Sequence, residues 1–186
     1  MCLHFYLAVD LMHKLKHYAL LIFLCGFIQL GHSPLAQADQ LPEYQIKAAF
    51  LYNFAIYTHW PNDIGDSFNL CIYGKHSFGN TLDKLQEKKV NQRFITIKYI
   101  THINDPADCQ MVFISPSPTL DIKAVLDPLK GKPILTIVDN IDPNGATINF
   151  FLVDQKIRFD VNLVIAERSG LNFSSQLLRF AREVHK

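Results

Sequence analysis

Downstream of residue 38, the residues best suited to chemistry are four histidines, two cysteines and one acidic loop. A zinc or other nitrogen-bound metal needs histidines at ligand spacing, as in H-E-x-x-H. His59, His76, His102 and His185 have neither that spacing nor a carboxylate beside them at ligand distance in sequence. They read as surface or packing residues. Asp139, Asn140, Asp142 and Asn144 form a sparse imitation of a calcium loop, but no glutamate stands at the twelfth position. Turn chemistry accounts for them. Gly74-Lys75-His76-Ser77-Phe78-Gly79 lacks both G-x-G-x-x-G and G-x-x-x-x-G-K-[ST], so it reads as a strand-to-helix turn rather than a phosphate cradle. No G-x-S-x-G elbow occurs, and Ser174, a possible nucleophile beside Ser175, is a natural helix N-cap. The residues therefore offer no catalytic constellation, no metal site and no cofactor motif.

The two cysteines take their meaning from compartment. Residues 18–30, YALLIFLCGFIQL, are apolar but shorter than the roughly 20 residues of a membrane span. Lys14 and Lys16 precede this run, and Ala36-Gln37-Ala38 follows it, the pattern of a secretory signal peptide cleaved after Ala38. Met12 gives a more ordinary start for such a peptide than Met1. Residues 1–38 are thus expected to be a signal peptide and 39–186 the mature domain, long enough to bury its own core. An uncleaved anchor is the alternative that the A-x-A site opposes. Removing Lys14, Lys16 and Asp10 leaves 16 basic and 16 acidic residues, so the mature chain is neutral. That speaks against nucleic acid as a partner, because phosphate binding wants a basic excess. In an exported chain Cys71 and Cys109 are most simply one disulfide.

The elements that must position these residues follow from pattern. Residues 40–60 read as a helix with Ile46, Phe50, Asn53/Phe54 and Tyr57 recurring on its inward stripe and Ala49 beside them, ended by Pro61. This face is rich in aromatics, which suits packing on a sheet; a ligand pocket lined by Phe50, Phe54 and Tyr57 is the sharper alternative. Strands are expected over 68–74, 94–100, 111–115 and 134–138, and helices over 77–88 and 120–129. Residues 146–162 read as a hairpin turning at Asp154-Gln155, which pairs Leu152 with Ile157, Phe150 with Phe159 and Ile148 with Val161 on one face. A short helix from Leu163 should end at Gly170. A last helix capped by Ser174 should bury Leu177, Leu178, Ala181 and Val184. Strands alternating with helices imply a single three-layer α/β domain with a largely parallel central sheet, finished by an antiparallel hairpin at one edge and a terminal helix.

Five blocks in order, EYQIKAAFLYNFAIYTHWP (43–61), LCIYGKHSFGNTLDKL (70–85), DCQMVFISPS (108–117), PILTIVDN (133–140) and INFFLVDQKIRFDVNLVIAERSGLNFSSQLLRFAR (148–182), resemble the YfiR family of exported bacterial regulators. The resemblance implies a non-enzymatic periplasmic protein that binds the periplasmic part of an inner-membrane diguanylate cyclase and holds it inactive, limiting cyclic di-GMP and biofilm formation. Similar proteins serve other membrane receptors, including sensor kinases. It further implies a homodimer, and its strand-borne cysteine pair corresponds to Cys71 and Cys109. Two departures stand out. Some relatives carry a second cysteine pair near the loop before the hairpin, where residues 139–152 have none. Many have two glycines where this chain has Asn144-Gly145-Ala146.

In the hairpin, Arg158, Asp160 and Asn162 lie opposite the apolar row, together with Thr147 and Asn149. The resemblance implies that this end of the hairpin and the start of the next helix meet the cyclase, with Asp160 and Ala166 as contacts and Arg158 and Glu167 at the rim. A plain solvated sheet face and internal packing are the two alternatives from pattern alone. A small-molecule-binding module, using the aromatic first helix, is the rival function from another class.

Overall fold

The structure, a computed structural model, describes residues 40–61, 65–102, 108–139 and 145–186. Residues 1–38, with the expected signal peptide and its cleavage site, lie outside the described residues, as do Asn140, Asp142 and Asn144 of the acidic loop. The described residues belong to one unit spanning Asp39–Lys186. Among them, no helix is long and apolar enough to cross a membrane.

The chain begins with helix α1 (Gln40–Ile56) and a two-residue strand β1 (Thr58–His59). There follow β2 (Phe68–Tyr73), a 3-10 turn (Thr81–Leu85), β3 (Lys89–Val90), β4 (Arg93–Ile100) and β5 (Met111–Ile114). Helix α2 (Ile122–Leu126) runs into a 3-10 turn (Asp127–Leu129), then β6 (Leu135–Asp139), β7 (Ile148–Val153) and β8 (Lys156–Asn162). The chain closes with α3 (Leu163–Arg168), β9 (Asn172–Phe173), α4 (Ser175–Phe180) and β10 (Glu183–His185).

Eight strands form one sheet in the order β10-β8-β7-β6-β5-β2-β4-β3. β4, β2, β5, β6 and β7 run parallel, and β8 is antiparallel to β7. Strand alternation sorts the core into two layers. Phe68, Leu70, Ile72, Met111, Phe113, Leu135, Ile137, Ile148 and Phe150 pack with α1 on one face. Cys71, Val112, Ile114 and Val138 pack with Val125, Leu126 and Leu129 on the other. This is the expected three-layer α/β architecture. Cys71 and Cys109 are joined by a disulfide within the second layer, with Cα atoms 5.9 Å apart.

The hairpin has the register read from the sequence: Ile148↔Val161, Phe150↔Phe159 and Leu152↔Ile157. Asp154 and Gln155 take φ of 48° and 59°, the two left-handed positions of a type I′ turn, whose twist matches that of the strands. Asn162 caps α3 by accepting from the Ile165 amide at 3.0 Å. Gly170 ends that helix with φ +69°, and a Cβ there would come within 3.1 Å of Pro61.

Four expectations are corrected. The inward stripe of α1 is Tyr44, Ala48, Leu51, Phe54 and Ala55, and Ile46 is 48% exposed. The helix is rotated from the predicted phase because its buried face includes a lysine, Lys47. The helices expected over 77–88 and 120–129 are shorter and partly 3-10, although Leu82, Leu85, Val125, Leu126 and Leu129 are buried. The hairpin is not an edge, since β10 pairs in parallel with the outer side of β8. The terminal helix stops at Phe180. The Arg182 amide donates to the Phe159 carbonyl at 2.8 Å, and the chain continues as strand. A six-residue helix has little intrinsic stability, so the tertiary pairing of β10 overrides the helical spacing of Leu177, Ala181 and Val184.

Candidate functional site

Three groups of side chains stand out. The first grows from α1. Phe50, Phe54 and Tyr57 recur at helical spacing, and in the observed phase Phe54 is buried while Phe50 and Tyr57 lie at the flank of the buried stripe. Phe54 lies 4.8 Å from Phe159 and 5.4 Å from Phe150, centroid to centroid, and Phe50 lies 5.5 Å from Phe159. These rings are in the tilted and edge-to-face geometries that aromatic quadrupoles favour. They floor a cavity of about 400 Å³ walled by Asn53 of α1, by Tyr57 in the turn after it, and by Leu177 and Phe180 of α4. The structure thus brings together the three residues singled out from the sequence and adds Asn53, Phe159, Leu177 and Phe180. Asn53 belongs to the helical face read from the sequence, but α4 could not be placed against α1 from sequence.

The second group covers the outer face of the hairpin. Arg158 and Asp160 share a face, as expected, but Asp160 is only 4% exposed. Arg182 covers it, donating from Nε to Oδ1 at 2.8 Å and from its NH2 group to Oδ2, while its guanidinium sits 4.3 Å from the Phe151 ring centre. Thr147 and Asn149 are buried as well. Thr147 is bonded to Thr136, with its amide 2.9 Å from Thr136 Oγ1. Ala166 is fully buried in the α1-side core. The continuous polar patch expected from Asp160 through Ala166 is therefore not a surface of this molecule. The face is closed by internal packing, because a buried carboxylate needs a partner and β10 brings one. Arg158 and Glu167 are exposed. The same strand brings His185 Nε2 to 3.9 Å from Asp160 Oδ2 and its Nδ1 to 3.6 Å from Glu183. Arg182 engages both Asp160 oxygens, so this trio meets a positive charge where a metal would sit.

The third group was not singled out as a group, and Asp139, read from the sequence as a turn residue, is instead the buried end of β6, held there by Lys47. Lys47 and Asp139 are each 3% exposed. The Lys47 Nζ donates to Asp139 at 2.6 and 2.8 Å and also to Glu43, and the Tyr44 hydroxyl approaches Asp139 at 3.5 Å. Burial pushes the Lys47 ammonium down, but its hydrogen bonds to Asp139 and Glu43 outweigh that and raise it above the usual lysine value. Burial also raises the Asp139 carboxyl, against the pull of Lys47, and raises the Tyr44 phenol, with Asp139 adding to the rise. The pair pins α1 to the carboxyl end of β6. Its signal in the sequence was a lysine on an otherwise apolar stripe.

The described residues thus form a three-layer α/β domain with a disulfide in one layer and an aromatic cavity beside the first helix. The YfiR/HmsC-like family model matches residues 44–182, and the chain belongs to that family. No curated protein matches it.

Proposed function

We propose that the mature protein, residues 39–186, is a periplasmic regulator without enzymatic activity that binds the periplasmic part of an inner-membrane diguanylate cyclase and inhibits it. Membership of the YfiR/HmsC-like family over residues 44–182 carries this reading. Export after cleavage behind Ala38 brings it to that compartment, and pairing as a homodimer belongs to the same proposal. The contact surface is assigned to the exposed Arg158 of β8 and Glu167 of α3. Asp160 and Ala166, buried beneath, hold the strand and the helix in place rather than touching the partner. Charged residues at a rim contribute to selection and approach of a partner, and reversing them costs affinity.

The test is Arg158→Glu and Glu167→Arg, singly and together, each shown to be exported, folded and at parental level. The double variant is expected to raise cellular cyclic di-GMP toward the level of a deletion strain, and to lose co-purification with the cyclase. Full repression by the folded double variant would move the contact surface elsewhere. An unchanged cyclic di-GMP level in the deletion strain itself would remove the cyclase reading.

A further inference from the structure

We propose that the cavity between α1 and α4 is a binding site for an uncharged, planar aromatic small molecule carrying one hydrogen-bonding group. This site is independent of the cyclase reading, since it is built wholly within one chain and neither Arg158 nor Glu167 lines it. Three observations carry it.

The first is the floor. Phe54 and Phe159 are 1% and 2% exposed, and both are wedged against the fully buried Phe150. Such rings cannot collapse into the cavity without abandoning core packing, so the space is preformed. Its volume of about 400 Å³ falls in the range of small-molecule sites.

The second is the lining. Phe50, Phe54, Phe159 and Phe180 present aromatic surface, Leu177 adds an aliphatic wall, and Asn53 and Tyr57 supply a carboxamide and a phenol. No lysine, arginine, aspartate, glutamate or histidine lines it. An ionic ligand would lose hydration without gaining a counter-charge, whereas a neutral ring gains ring-to-ring contact and can satisfy one polar group on the amide or the phenol.

The third is Phe180. It is 72% exposed, the most exposed of the large apolar side chains among the described residues, and it stands in the wall of this cavity. An apolar ring left in water at the edge of a concave aromatic surface is explained by an occupant that it covers.

The experiment uses purified mature protein and N-phenyl-1-naphthylamine, an uncharged aromatic whose fluorescence rises in apolar surroundings. Saturable binding with one site per chain is expected, with indole competing and indole-3-acetate competing at least about tenfold more weakly because its carboxylate finds no partner. Asn53 and Phe180 are exposed, so variants there leave the fold intact. Asn53→Trp should fill the cavity and abolish binding with an unchanged melting temperature. Phe180→Ala should weaken binding about threefold to tenfold, the worth of an aromatic contact. Asn53→Leu should weaken competition by indole and spare competition by naphthalene, which has no hydrogen-bonding group, and this separates the polar contact from the apolar one. No saturable signal from the parental protein, or binding that neither Asn53→Trp nor Phe180→Ala alters, would overturn the assignment.

Discussion

Replacing Lys47 with methionine should destabilise the protein by about 3–5 kcal/mol at neutral pH, the cost of orphaning a buried charge. Lys47 and Asp139 are each 3% exposed, with ammonium and carboxylate oxygens 2.6 and 2.8 Å apart. At an effective dielectric near 20, charges that close attract by ~6 kcal/mol, most of which offsets the desolvation of the two groups. Methionine keeps the volume and removes the attraction, leaving the carboxylate with the Tyr44 hydroxyl at 3.5 Å. Burial already raises the Asp139 carboxyl, and loss of Lys47 must raise it further. A carboxyl whose folded value lies above its unfolded value contributes stability below the unfolded value and loses it as pH rises. The variant should therefore recover stability as the pH is lowered from 7 toward 5. Urea unfolding followed by the single tryptophan, Trp60, measures the loss, and a fall in melting temperature of roughly 6–20 °C should accompany it. The double variant Lys47→Met, Asp139→Leu should regain most of the loss, since a well-packed apolar pair can replace a buried ion pair at little net cost. A loss below about 1 kcal/mol for Lys47→Met, or a double variant as unstable as the two single losses added, would refute the reasoning.

Reduction of the Cys71–Cys109 disulfide, or Cys71→Ala with Cys109→Ala, should lower stability by about 3–4 kcal/mol, the chain-entropy value for a loop of this length; free-thiol titration of the denatured, unreduced protein should find no reactive thiol. Burial lowers the His76 imidazole, which stacks on Tyr99 at 4.8 Å. Its folded value lies below its unfolded one, so stability should fall as pH drops below about 6.5, and His76→Gln should flatten that part of the profile. Asp154→Asn with Gln155→Gly supplies the residues that type I′ turns prefer, and should raise stability by about 0.5–1 kcal/mol in urea titration without changing the hairpin register.

Where one face of an element is apolar and the other polar, the sequence could be read directly. The hairpin register followed from Ile148, Phe150 and Leu152 alternating against Ile157, Phe159 and Val161, because a slip by one residue would turn one strand's whole row to the wrong side. The apolar run of β5 and the largely apolar run of β6 likewise announced strands covered on both faces. Reading failed wherever a polar residue was buried with a distant partner. Lys47 disguised the inward stripe of α1, since its match, Asp139, lies 92 residues away. Asp160 looked like part of a wet sheet face because its cover, Arg182, arrives just ahead of β10, in a segment whose spacing imitates a helix. The cavity was half legible. The ring spacing on α1 pointed to it, but its opposite wall depends on a six-residue helix placed by tertiary ties.

Those ties make α4 a strut fixed at both ends. At its start, β9 pairs with β1, and the Ser174 amide donates to the Tyr57 carbonyl at 2.9 Å. At its end, the Arg182 amide holds the Phe159 carbonyl and β10 lies along β8. All of these are main-chain bonds, indifferent to which side chains project between them. The gap between α4 and α1 is thus a fixed aperture in the frame, and substitutions at positions such as 53 and 180 can regrade what fits it without bending the frame.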